Sequence, residues 1–189
     1  TLHIRLFAEH DALMRYEIYS DAIGIHSQGL ASVTDGSVHE TLDLDRLKID
    51  IKDRCYSAEQ CYEVFAQRGI HHGAAQQAIT EIHVGQGQVL AKLTIPTDTL
   101  QQYVLHPALL DAALQASVAL ALAEDKACSA VLLPYALERL SVTGSCSHTV
   151  WAWIRYAQDS NNNLQKLDID LCDDQGRIFV QMNGFSSRA

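Results

Sequence analysis

Positive charge is scarce in this sequence. Lysine and arginine number 14 against 23 acidic residues, giving a formal net charge of −9. A surface that binds nucleic acid by neutralising phosphates is basic, so that class of partner is excluded. The spacing of a metal site is missing too. The 5 cysteines, at positions 55, 61, 128, 146 and 172, form no CxxC pair and have no histidine at zinc-finger distance. Their odd number suits the reduced thiols of a cytoplasmic protein, with no metal and no disulfide framework. No apolar run has the roughly 18–20 uncharged residues that span a bilayer, so no membrane partner is expected. No signal peptide opens the chain. An initiator methionine is absent as well, and Thr1 lies inside a strand-like stretch, so the sequence reads as an excerpt of a longer protein.

What is present is an ordinary globular balance. The 189 residues are 48% hydrophobic and 20% charged, enough for one domain or two small ones. Residues 2–8, 13–20 and 25–34 read as strands separated by turn residues such as Asp21, Gly24 and Asp35-Gly36. Residues 36–55 are polar with little periodicity and read as a linker. Ser57 is a candidate N-cap for a short helix that runs to about Gln67 and ends at Gly69. Residues 76–84 and 87–95 form a hairpin around Gly85-Gln86-Gly87. A long apolar helix covers 107–123, and strands follow at 130–142, 149–157, 164–173 and 177–185. Two strands, one apolar helix and then four strands predict an α+β hot-dog fold, an antiparallel sheet wrapped around one long central helix. That unit covers residues 56–189. Residues 1–35 are then the tail strands of an incomplete first hot dog, and the whole is part of a double hot dog.

The helix over 107–123 carries the chemistry. It has no interior glycine or proline and is apolar on nearly every side, which predicts burial all round. Asp111 is its one ionisable residue. A lone buried carboxyl is costly unless it is paired or neutral. With Pro107 as the first helical residue, Asp111 falls in the second turn, too deep to cap a free amide. Gln115, four residues on, lies on the same face. A carboxyl beside an amide can act as a general acid, and a buried ion pair with a distant Arg or Lys is the structural alternative.

The segment Leu105-His106-Pro107-Ala108-Leu109-Leu110-Asp111-Ala112-Ala113-Leu114-Gln115 resembles the HPxLLDxxxQ signature of polyketide synthase dehydratase domains. Leu132-Leu133-Pro134-Tyr135 is similar to the family's "LPF" segment. Asp173-Asp174-Gln175-Gly176-Arg177, leading to Asn183-Gly184-Phe185, is similar to its closing hairpin. Gly69-Ile70-His71-His72-Gly73 stands where the family has YGPxF, with His72 at the tyrosine, Ala74 at the proline and Gln76 at the phenylalanine. The resemblance is strongest over residues 56–189, and its wording is nearest to bacterial modular synthases with free-standing acyltransferases.

The resemblance implies loss of water from a β-hydroxyacyl thioester. Asp111 is then the general acid, with Gln115 orienting it. His72, His106, Pro134 and Tyr135 are expected to contact substrate. No cofactor is implied, because the substrate rides on the phosphopantetheine arm of an acyl carrier protein. The implied partners are that carrier, neighbouring synthase domains and the missing N-terminal half of the same domain; pairing of two copies is compatible with it. The family's base is a histidine in an HxxxGxxxxP motif, which this sequence lacks. His83 and Gly87 have the first spacing, but position 92 is lysine. The histidine is therefore expected upstream of Thr1, and the fragment alone is expected to be inactive. A non-catalytic docking module of the same synthase and a product-template-like cyclase remain open. A hot-dog thioesterase fits the Leu-Pro-Tyr and closing-hairpin segments poorly.

Overall fold

The computed structural model describes residues 1–10, 12–33, 40–95, 99–123, 133–160 and 165–188. The chain divides into two units, Thr1–Ser37 and Val38–Ala189.

The first unit is an antiparallel meander of β1 (His3–Ala8), β2 (Leu13–Ser20) and β3 (Gly24–Ser32). Register places Ile4 opposite Ile18 and Leu6 opposite Tyr16. Tyr16 in turn faces Gly29, whose missing side chain makes room for the tyrosine ring. On the other face Arg5 lies 4.3 Å over the Tyr19 ring and Arg15 lies 4.0 Å over Phe7. Both guanidinium groups pair with the buried Glu17, so that carboxylate is compensated.

The second unit begins with structure where the composition suggested a linker. Residues 40–57 hold α1 (Leu44–Asp50) and β4 (Arg54–Ser57). Asp43 caps α1 by accepting the Arg46 N–H at 2.9 Å. Leu44 and Ile51 are buried with Leu90, Trp151, Cys172 and Ile178. The linker expectation fails because so short a helix draws its stability from packing on the sheet and shows little periodicity of its own. The turn before β11 fixes this segment: the Leu42 N–H donates to Gly176 O at 2.8 Å and the Ile178 N–H to Glu40 O at 2.9 Å.

Helix α2 (Ala58–Gln67) follows the expected signals. Ser57 Oγ accepts the Gln60 N–H, and Gln60 Oε1 accepts the Ser57 N–H, a reciprocal cap. Gly69 at φ +79° turns the chain away from the helix end. The hairpin of β5 (Ile79–Gly85) and β6 (Gln88–Thr94) comes next, then α3 (Pro107–Ala116) and α4 (Val118–Ala123). The remaining strands are β7 (Leu133–Ala136), β8 (Arg139–Val142), β9 (Thr149–Tyr156), β10 (Lys166–Cys172) and β11 (Ile178–Arg188). They form one antiparallel sheet in the order β4-β5-β6-β9-β10-β11-β7, with β8 also on β11. Helix α3 packs across β5, β6 and β9, and α4 across β5 and β6. Leu109, Ala112 and Ala116 meet Ile82, Leu93 and Ile154 in the core. Burying each larger aliphatic side chain stabilises the fold by about 1.5–3 kcal/mol. The unit is a hot dog, as the element order predicts.

Three expectations change in detail. The helix over 107–123 is broken at Ser117, whose Oγ donates to Leu114 O at 2.6 Å and whose N–H bonds the same carbonyl. A serine hydroxyl competes with the backbone ladder, and the turn tightens there. The helix is also not buried all round. Ala108, Leu109, Ala112 and Ala113 are enclosed, while Asp111, Leu114 and Val118 are only partly buried. Finally, the strand expected over 130–142 is two strands, β7 and β8. They pair with separate stretches of the long β11, on either side of Gly184 at φ +65°. Residues 130–132 of that expectation lie outside the described residues.

Candidate active site

Pro107 starts α3 with its φ preset, and His106 is the N-cap. His106 Nδ1 accepts the Ala108 N–H at 3.2 Å, and Nε2 lies 2.8 Å from Thr99 Oγ1. An accepting Nδ1 assigns the ring proton to Nε2, which donates to the threonine. Burial lowers the pKa of this imidazole, and the residue is only 4% exposed. His106 therefore stabilises the helix start and does not line the cavity described next.

One turn into α3, Asp111 faces away from the enclosed side of the helix. Gln115 Nε2 donates to Asp111 Oδ2 at 2.8 Å and to Gln76 O at 3.3 Å. The amide is 6% exposed, and its Oε1 has no hydrogen-bond partner among the described residues. Asp111 and Gln115 open onto a cavity of about 280 Å³. Leu114 and Val118 continue the same helical stripe along its wall. Phe65, Arg68, Ile70 and His72, from the end of α2 and the chain beyond it, form a second wall. Tyr156, Leu167 and Phe185 close it from the sheet.

His72 sits in that wall as an aromatic insert. Its ring is edge-on to Phe65 at 4.8 Å and tilted against Tyr62 at 5.7 Å. Its backbone carbonyl accepts from Gln77 Nε2 at 2.8 Å, which steadies the loop, while Nδ1 is buried without a partner among the described residues. Tyr62 stays a neutral phenol: burial raises its pKa, and the charges of Cys61 and Asp111 add to that. Its hydroxyl oxygen accepts the Ile79 N–H at 3.1 Å.

Pro134 lines the cavity, and Tyr135 does not. Leu133 lines the cavity beside Pro134, and the pairing of β7 with β11 shifts register between Ser186 and Ser187. Tyr135 is 63% exposed, with the Arg188 guanidinium 4.6 Å over its ring. Sequence reasoning missed Arg68 and the sheet residues of the wall. The latter sit at alternating strand positions that look like any core residue, and Arg68 is a single cation at a helix end.

Among the described residues no group of three His, Cys, Asp or Glu side chains could hold a metal ion. Cys61 and Cys172 are buried, which pushes their thiols up to about 11 and about 12, so neither is a ready nucleophile. The geometry thus offers one carboxyl group held by an amide at the side of a largely apolar cavity. Oδ2 is engaged by Gln115. Such a group can hand a proton to a ligand in the cavity.

The family model described as "Polyketide synthase dehydratase N-terminal domain" matches residues 42–189. Polyketide synthase PksM of Bacillus subtilis (strain 168) is 35% identical over 202 residues, covering 100% of this chain and 5% of that protein. A trans-AT PKS dehydratase domain from Brevibacillus brevis is 36% identical, with a TM-score of 0.88 over 100% of this chain and 69% of that one. CurK dehydratase has been solved as two inactive mutants, one Asp-to-Asn and one His-to-Phe. They are 26% and 27% identical, with TM-scores of 0.83 and 0.84, each covering 98% of this chain and 67% of that one. The chain therefore spans a small part of the curated relative and about two thirds of each solved domain. With a family match from residue 42 onward and a relative more than 30% identical along its whole length, the chain belongs to the dehydratase domains of polyketide synthases.

Proposed function

We propose that this chain supplies the general acid for removing water from a β-hydroxyacyl thioester, leaving an α,β-unsaturated thioester. The observation that carries the reading is the 2.8 Å hydrogen bond from Gln115 to Asp111 at the cavity wall. A base removes the α-proton, and the C–H electrons become the new double bond. The C–O bond breaks as Asp111 protonates the departing hydroxyl, which leaves as water. Gln115 holds the carboxyl in place, and its unpartnered Oε1 is an acceptor for the substrate hydroxyl. His72 and Pro134 contact the acyl chain. The substrate arrives on the phosphopantetheine arm of an acyl carrier protein, within a line of neighbouring synthase domains, and the chemistry needs no further cofactor.

The base in this reading is a histidine from a part of the domain outside these 189 residues, so the chain by itself turns over negligibly. The two inactive CurK variants, one at an Asp and one at a His, support an acid–base pair of this kind. Residues 1–37 belong to a first hot dog and residues 38–189 form the second. That assignment rests on the three-stranded meander preceding the Asp111 helix and departs from the word N-terminal in the matched model's description.

Asp111→Asn in the intact domain tests the acid. It keeps shape and hydrogen-bonding capacity and removes the transferable proton. Turnover of a 3-hydroxyacyl thioester should fall by roughly 10²-fold or more with the fold unchanged. Unchanged turnover per folded molecule with a lowered Tm would make Asp111 a structural residue and end the reading.

A further inference from the structure

Arg68 is the one Lys or Arg side chain among the described residues that lines the active-site cavity. Its position is held by backbone alone: its N–H bonds Phe65 O at 2.9 Å, closing α2, and Gly69 then turns the chain toward Ile70 and His72. The guanidinium itself makes no ion pair, hydrogen bond or ring contact with any described residue. Three other arginines of the unit are matched. Arg46 pairs with Asp50, Arg155 with Asp170 and Arg177 with Asp173, each at 2.8 Å. Arg68 is partly buried against the apolar Phe65 and Ile70, and no ion pair joins it to Asp111. A guanidinium drawn partly out of water without a partner is costly, and its planar fork of donors fits an oxyanion. Among the described residues this cavity cation is left unmatched, in a protein of net charge −9.

We propose that Arg68 is an oxyanion subsite of this cavity, taking a phosphate or carboxylate that the ligand brings with it. The inference rests on the thioester reading above and deepens it. Two parts of such a ligand carry the required chemistry: the phosphate of the phosphopantetheine arm, and a carboxylate at the far end of the acyl chain. Either would accept two parallel N–H bonds from the guanidinium. Asp111 would then act at the β-carbon while Arg68 fixes how far the ligand slides into the cavity.

The test compares three probes that lack a β-hydroxyl, bound to the intact domain and measured by calorimetry: butyryl-pantetheine, butyryl-phosphopantetheine and glutaryl-pantetheine. At least one anionic probe should bind about tenfold or more tighter than the neutral one, the scale of a charge-assisted hydrogen bond. A preference for the phosphorylated probe assigns the carrier arm, and a preference for the glutaryl probe assigns the acyl terminus. Arg68→Met should bring the ratio of anionic to neutral affinity toward one, and Arg68→Lys should restore part of it. A ratio that is unity in the wild type, or unchanged in Arg68→Met, overturns the subsite. None of the probes can be dehydrated, so this outcome is independent of Asp111→Asn: a domain that fails to dehydrate can still show the ratio, and a domain that dehydrates can lack it.

Discussion

Asp111 and Gln115 stand one helical turn apart and share a hydrogen bond, and the same amide nitrogen reaches the carbonyl of Gln76. Both acceptors face the NH₂ end of the amide. Turning the amide over would place Oε1 against the carbonyl oxygen of Gln76, so its orientation is determined by its neighbours.

Gln115→Ala removes that hold without removing the proton. In the intact domain we expect kcat to fall about tenfold, less than for Asp111→Asn, because one charge-assisted hydrogen bond is lost and the acid remains. Steady-state kinetics on both variants checks the order. A larger loss for Gln115→Ala than for Asp111→Asn would make the amide, and not the acid, the centre of the site.

His106→Asn separates the helix cap from the titrating ring. Asparagine is a good N-cap, so α3 should keep its start. In the folded domain burial lowers the His106 pKa, while the unfolded chain takes up a proton near pH 6.5. Below that pH the unfolded state therefore binds more protons. Stability is lost as pH falls from the unfolded value through the folded one, by at most about 1.4 kcal/mol per pH unit. Denaturant midpoints between pH 7.5 and 5 should fall more steeply for the wild type than for His106→Asn. Parallel curves would mean that the ring titrates freely in the fold.

Gly176→Ala probes the segment that composition suggested was a linker. Gly176 has φ +79°, and a Cβ there would strike the carbonyl oxygen of Leu42, a backbone atom that cannot swing aside. We expect a loss of about 1–3 kcal/mol, read as a lowered Tm, from left-handed strain and displacement of residues 40–51. A loosely attached linker would give way, and the Tm would hardly move.

Much of the second unit was legible because local chemistry and global packing agree there. Ser57, Gln60 and Gly69 mark both ends of α2, and the four-residue spacing of Asp111 and Gln115 puts the two groups on one helix face. Other features depend on partners distant in the chain. Leu44 and Ile51 become core residues only because Trp151 and Ile178 cover them. Ser117 breaks the helix through one hydroxyl bond that its apolar surroundings do not announce. Pro134 lines the cavity and the adjacent Tyr135 does not, and telling them apart needs the irregular register of β7 against β11. Arg68 joins the cavity only through the turn at Gly69.

The ties between Glu40, Leu42 and the β10–β11 turn also bear on the order in which the unit assembles. Gln181 Nε2 reaches Glu40 Oε2 across 141 positions of sequence, beside the Leu42–Gly176 and Ile178–Glu40 backbone bonds. Such contacts close a very long loop, and loop closure of this kind slows folding. On a ribosome, Leu90 and Trp151 emerge before the last hairpin, but Cys172 and Ile178 complete the cover over α1 only with it. Leu44 and Ile51 therefore stay partly uncovered until then, and the nascent unit is sealed at its first residues by its last ones.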